Sequence, residues 1–214
     1  MVSTTPQIRH DEAERSVVAA MATHDQEAFR HFYDLYAGRV YRYAILILGD
    51  RHLAEDAVQD TMLAAWQGAG RYSGISPVST WVFGIAHHVV AGIRRKRGPV
   101  MAATDAPAPV AGQNDTGPGG APETIRPEVL GALAALPVPH RQVLFLIYYL
   151  DMDQEEAAKV LGVPLGTVKS RLHHARQTLG RMLWQTPGPR RERNQTPAGT
   201  RRQAGHVTGE VEWS

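Results

Sequence analysis

The sequence predicts an all-α protein built as two helical modules joined by a flexible linker. Three observations carry this. Apolar residues recur at spacings of three and four in both halves of the chain, the rhythm of amphipathic helices. No segment alternates convincingly between apolar and polar residues, as a half-buried strand would. The halves are separated by "GPVMAATDAPAPVAGQNDTGPGGAPE", rich in Pro, Gly and Ala and without a periodic apolar face, which is the composition of a linker. The divisions are a flexible N-terminal arm over 1–22, a first module over 23–97, the linker over 98–124, a second module over 125–184 and a disordered basic tail over 185–214.

The arm, "MVSTTPQIRHDEAERS" and a few residues beyond, is polar and acidic. The first helical pattern follows, with Ala28, Phe29, Phe32, Tyr33, Leu35, Tyr36, Val40, Tyr41, Tyr43, Ala44, Leu46 and Ile47. Gly49-Asp50 punctuates it. The next helix, His52 to Trp66, sets Leu53, Ala57, Val58, Met62, Ala65 and Trp66 on one side and Glu55, Asp56, Gln59 and Asp60 on the other. "GAGRYSGISP" reads as a loop by its Gly and Ser content. Ser79 or Thr80 is placed to cap a helix through Trp81, Val82, Ile85, Ala86, Val89, Val90 and Ile93 to Arg94, Arg95, Lys96 and Arg97. Trp81 and Phe83 read as core in this strongly apolar stretch.

In the second module, Val129, Leu130, Leu133 and Leu136 predict a short helix, interrupted by Pro137 and Pro139. Arg141 to Leu150 is strongly apolar and should be buried. Asp151 or Asp153 then caps a helix over Gln154–Leu161, which Gly162 ends. After Trp184 the chain is polar and rich in Pro and Gly, a disordered composition.

Composition excludes several classes of function. The 214 residues contain no cysteine, so disulfides, thiolate metal sites and thiol catalysis are out. The N-terminus has no apolar core segment and is not a secretory signal. No apolar run approaches the ~20 residues of a membrane span, so a cytoplasmic location is expected. His87-His88 and His173-His174 are adjacent pairs whose side chains diverge by about 100° on a helix, a poor chelating geometry. With no HExxH and no phosphate-cradling glycine loop, neither an enzyme, a metal nor a cofactor is expected.

Net charge is only +2, but its distribution is uneven. Residues 11 to 60 carry ten acids against five Lys or Arg, whereas 61 to 104 carry no acid. A second acid-free stretch, 157 to 191, holds Lys159, Lys169, Arg171, Arg176, Arg181, Arg190 and Arg191. Two separated basic stretches suggest two contacts with a polyanion.

"DQEEAAKVLGVPLGTVKSRLHHARQTL" reads as two helices joined by a tight turn, a helix-turn-helix. Ala157 is small where the helices cross, and Leu161, Val163, Val168 and Leu172 pack the pair. Thr167, Lys169, Ser170, His173, His174 and Arg176 are left on the outer side of the second helix. Such a helix fits the major groove, with cations for affinity and Ser, Thr and His to discriminate bases.

The chain resembles the extracytoplasmic-function sigma factors, members of the sigma-70 family of bacterial transcription initiation factors. The resemblance rests on "FYDLYAGRVYRYAILILGDRHLAEDAVQDTMLAAW", "RYSGISPVSTWVFGIAHHVVAGIRRKR" and "LAALPVPHRQVLFLIYYLDMDQEEAAKVLGVPLGTVKSRLHHAR", in that order. It implies that the first module is sigma region 2. Glu55, Asp56, Gln59 and Asp60 would then dock on the clamp helices of the β′ subunit of core RNA polymerase. Arg71, Tyr72, Ser73, Arg94, Arg95, Lys96 and Arg97 would capture the melted −10 promoter strand, with Tyr72 stacking on a base and the cations on phosphates. It implies that the second module is region 4, reading the −35 duplex with Thr167, Lys169, Ser170, Arg171, His173, His174 and Arg176 and touching the β flap. The linker would let both elements be bound at once, raising effective concentration. An anti-sigma partner is expected on family habit and the lack of an obvious sensory domain.

Departures from the family pattern fall at Gly84, where a basic residue is frequent, at His88, where Asn is, and at His174, where Arg is. Pro77 and Val78 replace a common Ser-aromatic pair. These put the target sequence in doubt, not the family. Arg190, Arg191, Arg193, Arg201 and Arg202 in the tail have no family counterpart. The competing reading is a LuxR-type helix-turn-helix regulator, because "GTVKSRL" occurs there too. That reading leaves "DAVQD" and the −10-like segment without a role.

Overall fold

A computed structural model describes residues 6–97 and 127–185, and among these it contains helices and no strand. The expected all-α class is thus observed. The linker and, beyond Gln185, the tail lie outside the described residues.

The first correction falls on the expected N-terminal arm. Residues Pro6–Ala22 form a helix, α1. Its apolar content is too sparse for a periodic pattern, yet Val18 and Met21 are fully buried. Glu14 accepts a 2.6 Å hydrogen bond from the Tyr36 hydroxyl, 22 residues away. That long-range contact is invisible to local composition. The buried Tyr36 hydroxyl is pushed far above its ordinary pKa, first by burial and then by Glu14.

After a turn at His24 (φ 65°), the Asp25 carboxylate accepts from the Glu27 and Ala28 N–H groups and starts α2, Gln26–Leu48. Phe32, Tyr36, Val40, Tyr43 and Ile47 form its buried stripe. Gly49 ends α2 in the left-handed region (φ 65°), and Asp50 caps α3, Arg51–Gly68, by accepting from Leu53 N–H. The Gly49-Asp50 punctuation therefore works as one residue per function. Ala54, Ala57 and Ala65 are fully buried on α3 and allow close approach to its neighbours. A 3₁₀ turn at Ala69–Arg71 leads through the loop to α4, Val78–Lys96.

Neither Ser79 nor Thr80 caps α4, because the helix already begins at Val78 after Pro77. Proline fixes the approach and has no N–H to satisfy. Thr80 is buried inside the first turn instead, and among the described residues its hydroxyl has no hydrogen-bond partner.

The second module comprises α5 (Pro127–Ala134), α6 (Val138–Leu144), α7 (Gln154–Leu161) and α8 (Leu165–Gln185). Its core is Leu136, Val138, Val143, Leu146, Met152, Ala157, Val160, Val168, Leu172 and Ala175. Asp153, not Asp151, caps α7. It accepts from the Glu155 and Glu156 N–H groups at 2.8 Å, while Glu156 accepts from Asp153 N–H at 3.0 Å. Gly162 closes α7 at φ 62°.

The apolar stretch 141–150 is buried only through Leu146. The helix widens into a π turn over Phe145–Tyr149, with Leu150 N–H donating to Phe145 O at 3.1 Å. The wider turn brings Tyr148 and Tyr149 to the surface, 58 % and 41 % exposed.

The two modules pack together, α7 against α4 and α6 against α2. Arg141 donates to the Leu46 carbonyl at 2.9 Å. The Phe145 ring lies 5.4 Å from Tyr43 and 6.3 Å from Phe83.

Candidate nucleic-acid and partner surfaces

The first surface lies on α3. Asp56, Gln59 and Asp60 are exposed on consecutive turns. Glu55 is half-buried and ion-paired with Arg51 at 2.9 Å. Beside them runs an apolar groove of about 630 Å³ between α2 and α3, lined by Phe29, Tyr33, Met62, Leu63 and Trp66 with Gln59 at its margin. Trp66 packs edge-on against Phe29 at 5.0 Å. Leu63, 54 % exposed, was not among the expected docking residues. Its signal was present in the sequence: a leucine on the polar side of a helix, four residues after Gln59.

The second surface is the loop after α3 together with α4. Arg71 and Ser73 are exposed. Tyr72 is half-buried, its ring 5.0 Å from Trp81 and its hydroxyl donating to the Ser76 carbonyl. Burial raises its pKa above the ordinary value, so it is a neutral aromatic surface with one face already occupied. Phe83 is wholly buried, as expected; Trp81 is half-buried. A cleft of about 540 Å³ opens beside them, lined by Ala64, Ser76, Thr80, Trp81, Gly84, Ile85, His88 and Val89, and by Lys159 of the second module.

The cations at the end of α4 divide. Arg95 and Lys96 are exposed and Arg94 is half-buried. Arg97 donates to Asp50 at 2.6 Å, tying the end of α4 to the α2–α3 corner. Backbone bonding from Leu53, then Arg97, hold the Asp50 carboxyl below the usual carboxylate range. Arg97 is thus engaged structurally.

The third surface is the outer side of α8. Lys169, Ser170, His173, His174 and Arg176 are exposed, and Thr167 and Arg171 are half-buried. Arg176 lies 5.3 Å over the Tyr148 ring and donates to its hydroxyl. His174 stacks on His140 at 6.4 Å. Lys169, Ser170 and His173 form the outermost row, which Gln177 extends through a 3.0 Å contact with His173. Gln177 was missing from the expected set; its position four residues after His173 was the available clue. Among the described residues, no group of three or more His, Cys, Asp or Glu is placed to hold a metal ion, and no helix is long and apolar enough to cross a membrane.

Residues 32–99 match the family described as Sigma-70 region 2, and residues 126–179 match Sigma-70, region 4. The chain is 33 % identical over 170 residues to the ECF RNA polymerase sigma factor SigL of Mycobacterium tuberculosis, covering 76 % of this chain and 92 % of that one. It is 29 % identical to SigW of Bacillus subtilis, covering 74 % and 90 %. Among solved structures, the sigma factor RpoE of Bartonella quintana, in complex with the anti-sigma factor NepR, superposes with a TM-score of 0.60 at 26 % identity, covering 74 % of this chain and 98 % of that chain. CnrH, in complex with the cytosolic domain of CnrY, gives the same TM-score at 23 % identity, covering 82 % and 99 %, and shares the fold.

Proposed function

This chain belongs to the extracytoplasmic-function sigma factors of the sigma-70 family, and on that premise we propose how its surfaces divide the work of promoter recognition. It is a transcription initiation factor that binds core RNA polymerase and directs it to promoters. The observation that carries the finer reading is the order of surfaces along one chain. An apolar groove edged by carboxylates comes first, an aromatic loop with a basic helix end second, and a carboxylate-free recognition helix last.

In this reading Asp56, Gln59 and Asp60 meet a basic partner, the β′ clamp helices, and Leu63 and Trp66 supply the buried apolar contact. Charge at the rim steers the encounter and the apolar centre holds it. Arg71, Tyr72 and Ser73, with Arg94, Arg95 and Lys96, take the melted −10 strand. Opening DNA costs stacking and pairing energy, which base capture beside Tyr72 and Trp81 offsets. Lys169, Ser170, His173 and Gln177 read the −35 duplex from the major groove. The β flap and an anti-sigma factor are the further partners. The site of action is the cytoplasm, and phosphodiester chemistry belongs to the polymerase. The LuxR-type alternative is not favoured, because it has no place for the region 2 match over 32–99.

The test is size-exclusion chromatography of the chain with core polymerase lacking any sigma factor. Co-elution is expected, and lost in the Asp56→Ala/Gln59→Ala double variant. Co-elution that survives the double variant and also Leu63→Asp would refute the assigned docking surface.

A further inference from the structure

The loop assigned to the −10 strand has a neighbour outside the region 2 match, which begins at residue 32. Helix α1 packs against the 69–71 turn and against α4, and one of its side chains, Arg15, reaches the loop itself. Gly74 stands in the left-handed region (φ 71°), and Arg15 Nη1 lies 3.9 Å from where a Cβ on that residue would stand. The charges of α1 also act on Tyr72. Burial raises the Tyr72 pKa most, Arg15 draws it back, and Asp11 and Glu14 push it up. The Tyr72 hydroxyl closes the loop by donating to the Ser76 carbonyl, so the loop has a support of its own besides Arg15.

Among the described residues Arg15 has one hydrogen-bond partner, Asp11, one helical turn back at 2.8 Å. Both side chains stay partly open to solvent, 42 % for Arg15 and 29 % for Asp11. An exposed pair of this kind contributes little to stability. A guanidinium carries five N–H donors, and this bond uses one of them. The rest suit a second oxyanion, a phosphate above all. Glu14, the other acid near the loop, is turned inward and accepts from the buried Tyr36 hydroxyl at 2.6 Å. Arg71 and Ser73 are exposed on the same loop. A strand laid across it therefore has Arg15 within reach as well as Arg71.

We propose that Arg15 of α1 is a further strand-binding residue: its guanidinium, held by Asp11 in the free chain, exchanges that carboxylate for a phosphate of the melted −10 strand beside Gly74. Asp11 is then a competitor for the same cation, which it keeps extended toward the loop until the strand arrives. The proposal rests on the assignment of the 71–73 loop to the −10 strand. It leaves polymerase docking untouched, because every residue lining the groove at Leu63 and Trp66 comes from α2 and α3.

The probe is a duplex fragment selected from a random-sequence pool by the unaltered full-length chain with core polymerase. It is then remade with a mismatched bubble over its −10 segment, so that strand capture is read without the cost of opening. Anisotropy of the labelled bubble with the chain and core polymerase is titrated at several salt concentrations. Arg15→Gln should weaken capture up to about fivefold and lower the salt slope by about 0.7, the share of one single-strand phosphate. Arg15→Lys keeps the charge and should retain most of the slope. Asp11→Asn should tighten capture, and by more with Arg15 present than in the Arg15→Gln background. A merely structural ion pair predicts the opposite sign, because removing either partner then does the same harm. An unchanged slope in Arg15→Gln, or an Asp11→Asn chain that binds more weakly, overturns the proposal. Thermal melts followed by circular dichroism check each variant, and the sign of the Asp11→Asn effect still decides if Arg15→Gln melts early. Arg71→Gln, run in parallel, separates the two assignments. If it lowers the slope and Arg15→Gln does not, the role of Arg15 alone falls; if neither lowers it, the loop's assignment to the −10 strand falls as well.

Discussion

Replacing Asp153 by alanine isolates what positions the helix-turn-helix. The carboxylate accepts from two backbone N–H groups at 2.8 Å, and Glu156 reciprocates at 3.0 Å. α7 has only eight residues, so one frayed turn removes nearly half of it. Asp153 is exposed, so water will partly replace the lost acceptor, and the loss should fall near the middle of the capping range, about 1 kcal/mol. For a chain of this size that is a fall in Tm of about 2–4 °C. Asp151 provides the comparison. It sits at φ 54°, where glycine is at ease, so Asp151→Gly should leave stability unchanged or slightly raised. Urea unfolding followed by far-ultraviolet circular dichroism at pH 7 reads both. A larger loss from Asp151→Gly than from Asp153→Ala would refute the assignment of the cap and the register of α7.

Two further outcomes follow from the same geometry. Lys169→Ala should weaken duplex binding across all sequences and reduce the salt slope by about 0.9, whereas Ser170→Ala should relax preference at one base position; anisotropy titrations at several salt concentrations decide, and an unchanged slope would remove Lys169 from the phosphate contacts. The Asp50 carboxyl is held below its ordinary range in the folded chain, so its contribution is complete above the ordinary Asp pKa of about 3.9 and is lost as pH falls through the depressed value. Arg97→Ala removes one cause of that depression and should flatten the acid limb of the urea midpoint below about pH 4; a limb of unchanged steepness would show that the pair contributes nothing.

What the sequence displayed was mostly local. Gly49-Asp50 and Gly162 were readable because left-handed closure and side-chain capping are written in adjacent residues. The exposed placement of Asp56, Gln59 and Asp60 was readable because the apolar stripe of α3 is regular. The exposed placement of Lys169, Ser170 and His173 on α8 was readable because the apolar positions of that helix repeat at spacings of three and four. The misses all depend on distant partners or on backbone detail. α1 is held by Val18, Met21 and the Glu14–Tyr36 bond, too few residues for a period. α4 starts one residue before Ser79 because Pro77 sets the chain direction. Tyr148 and Tyr149 lie at the end of an apolar run whose helical phase changes at Phe145. The pairing of Tyr43 with Gln142 spans 99 positions, and no pattern within either module announces it.

The π turn gives the molecule an internal gauge. By delaying the helical phase it sends two neighbouring tyrosines to different partners. Tyr148 meets Arg176 of its own module and Tyr149 meets Arg42 of the other. One ring therefore depends only on its own module, and the next on the contact between the two. With fluorine placed on the tyrosine rings, Tyr149 would report on that contact and Tyr148, one peptide unit away, would serve as its reference.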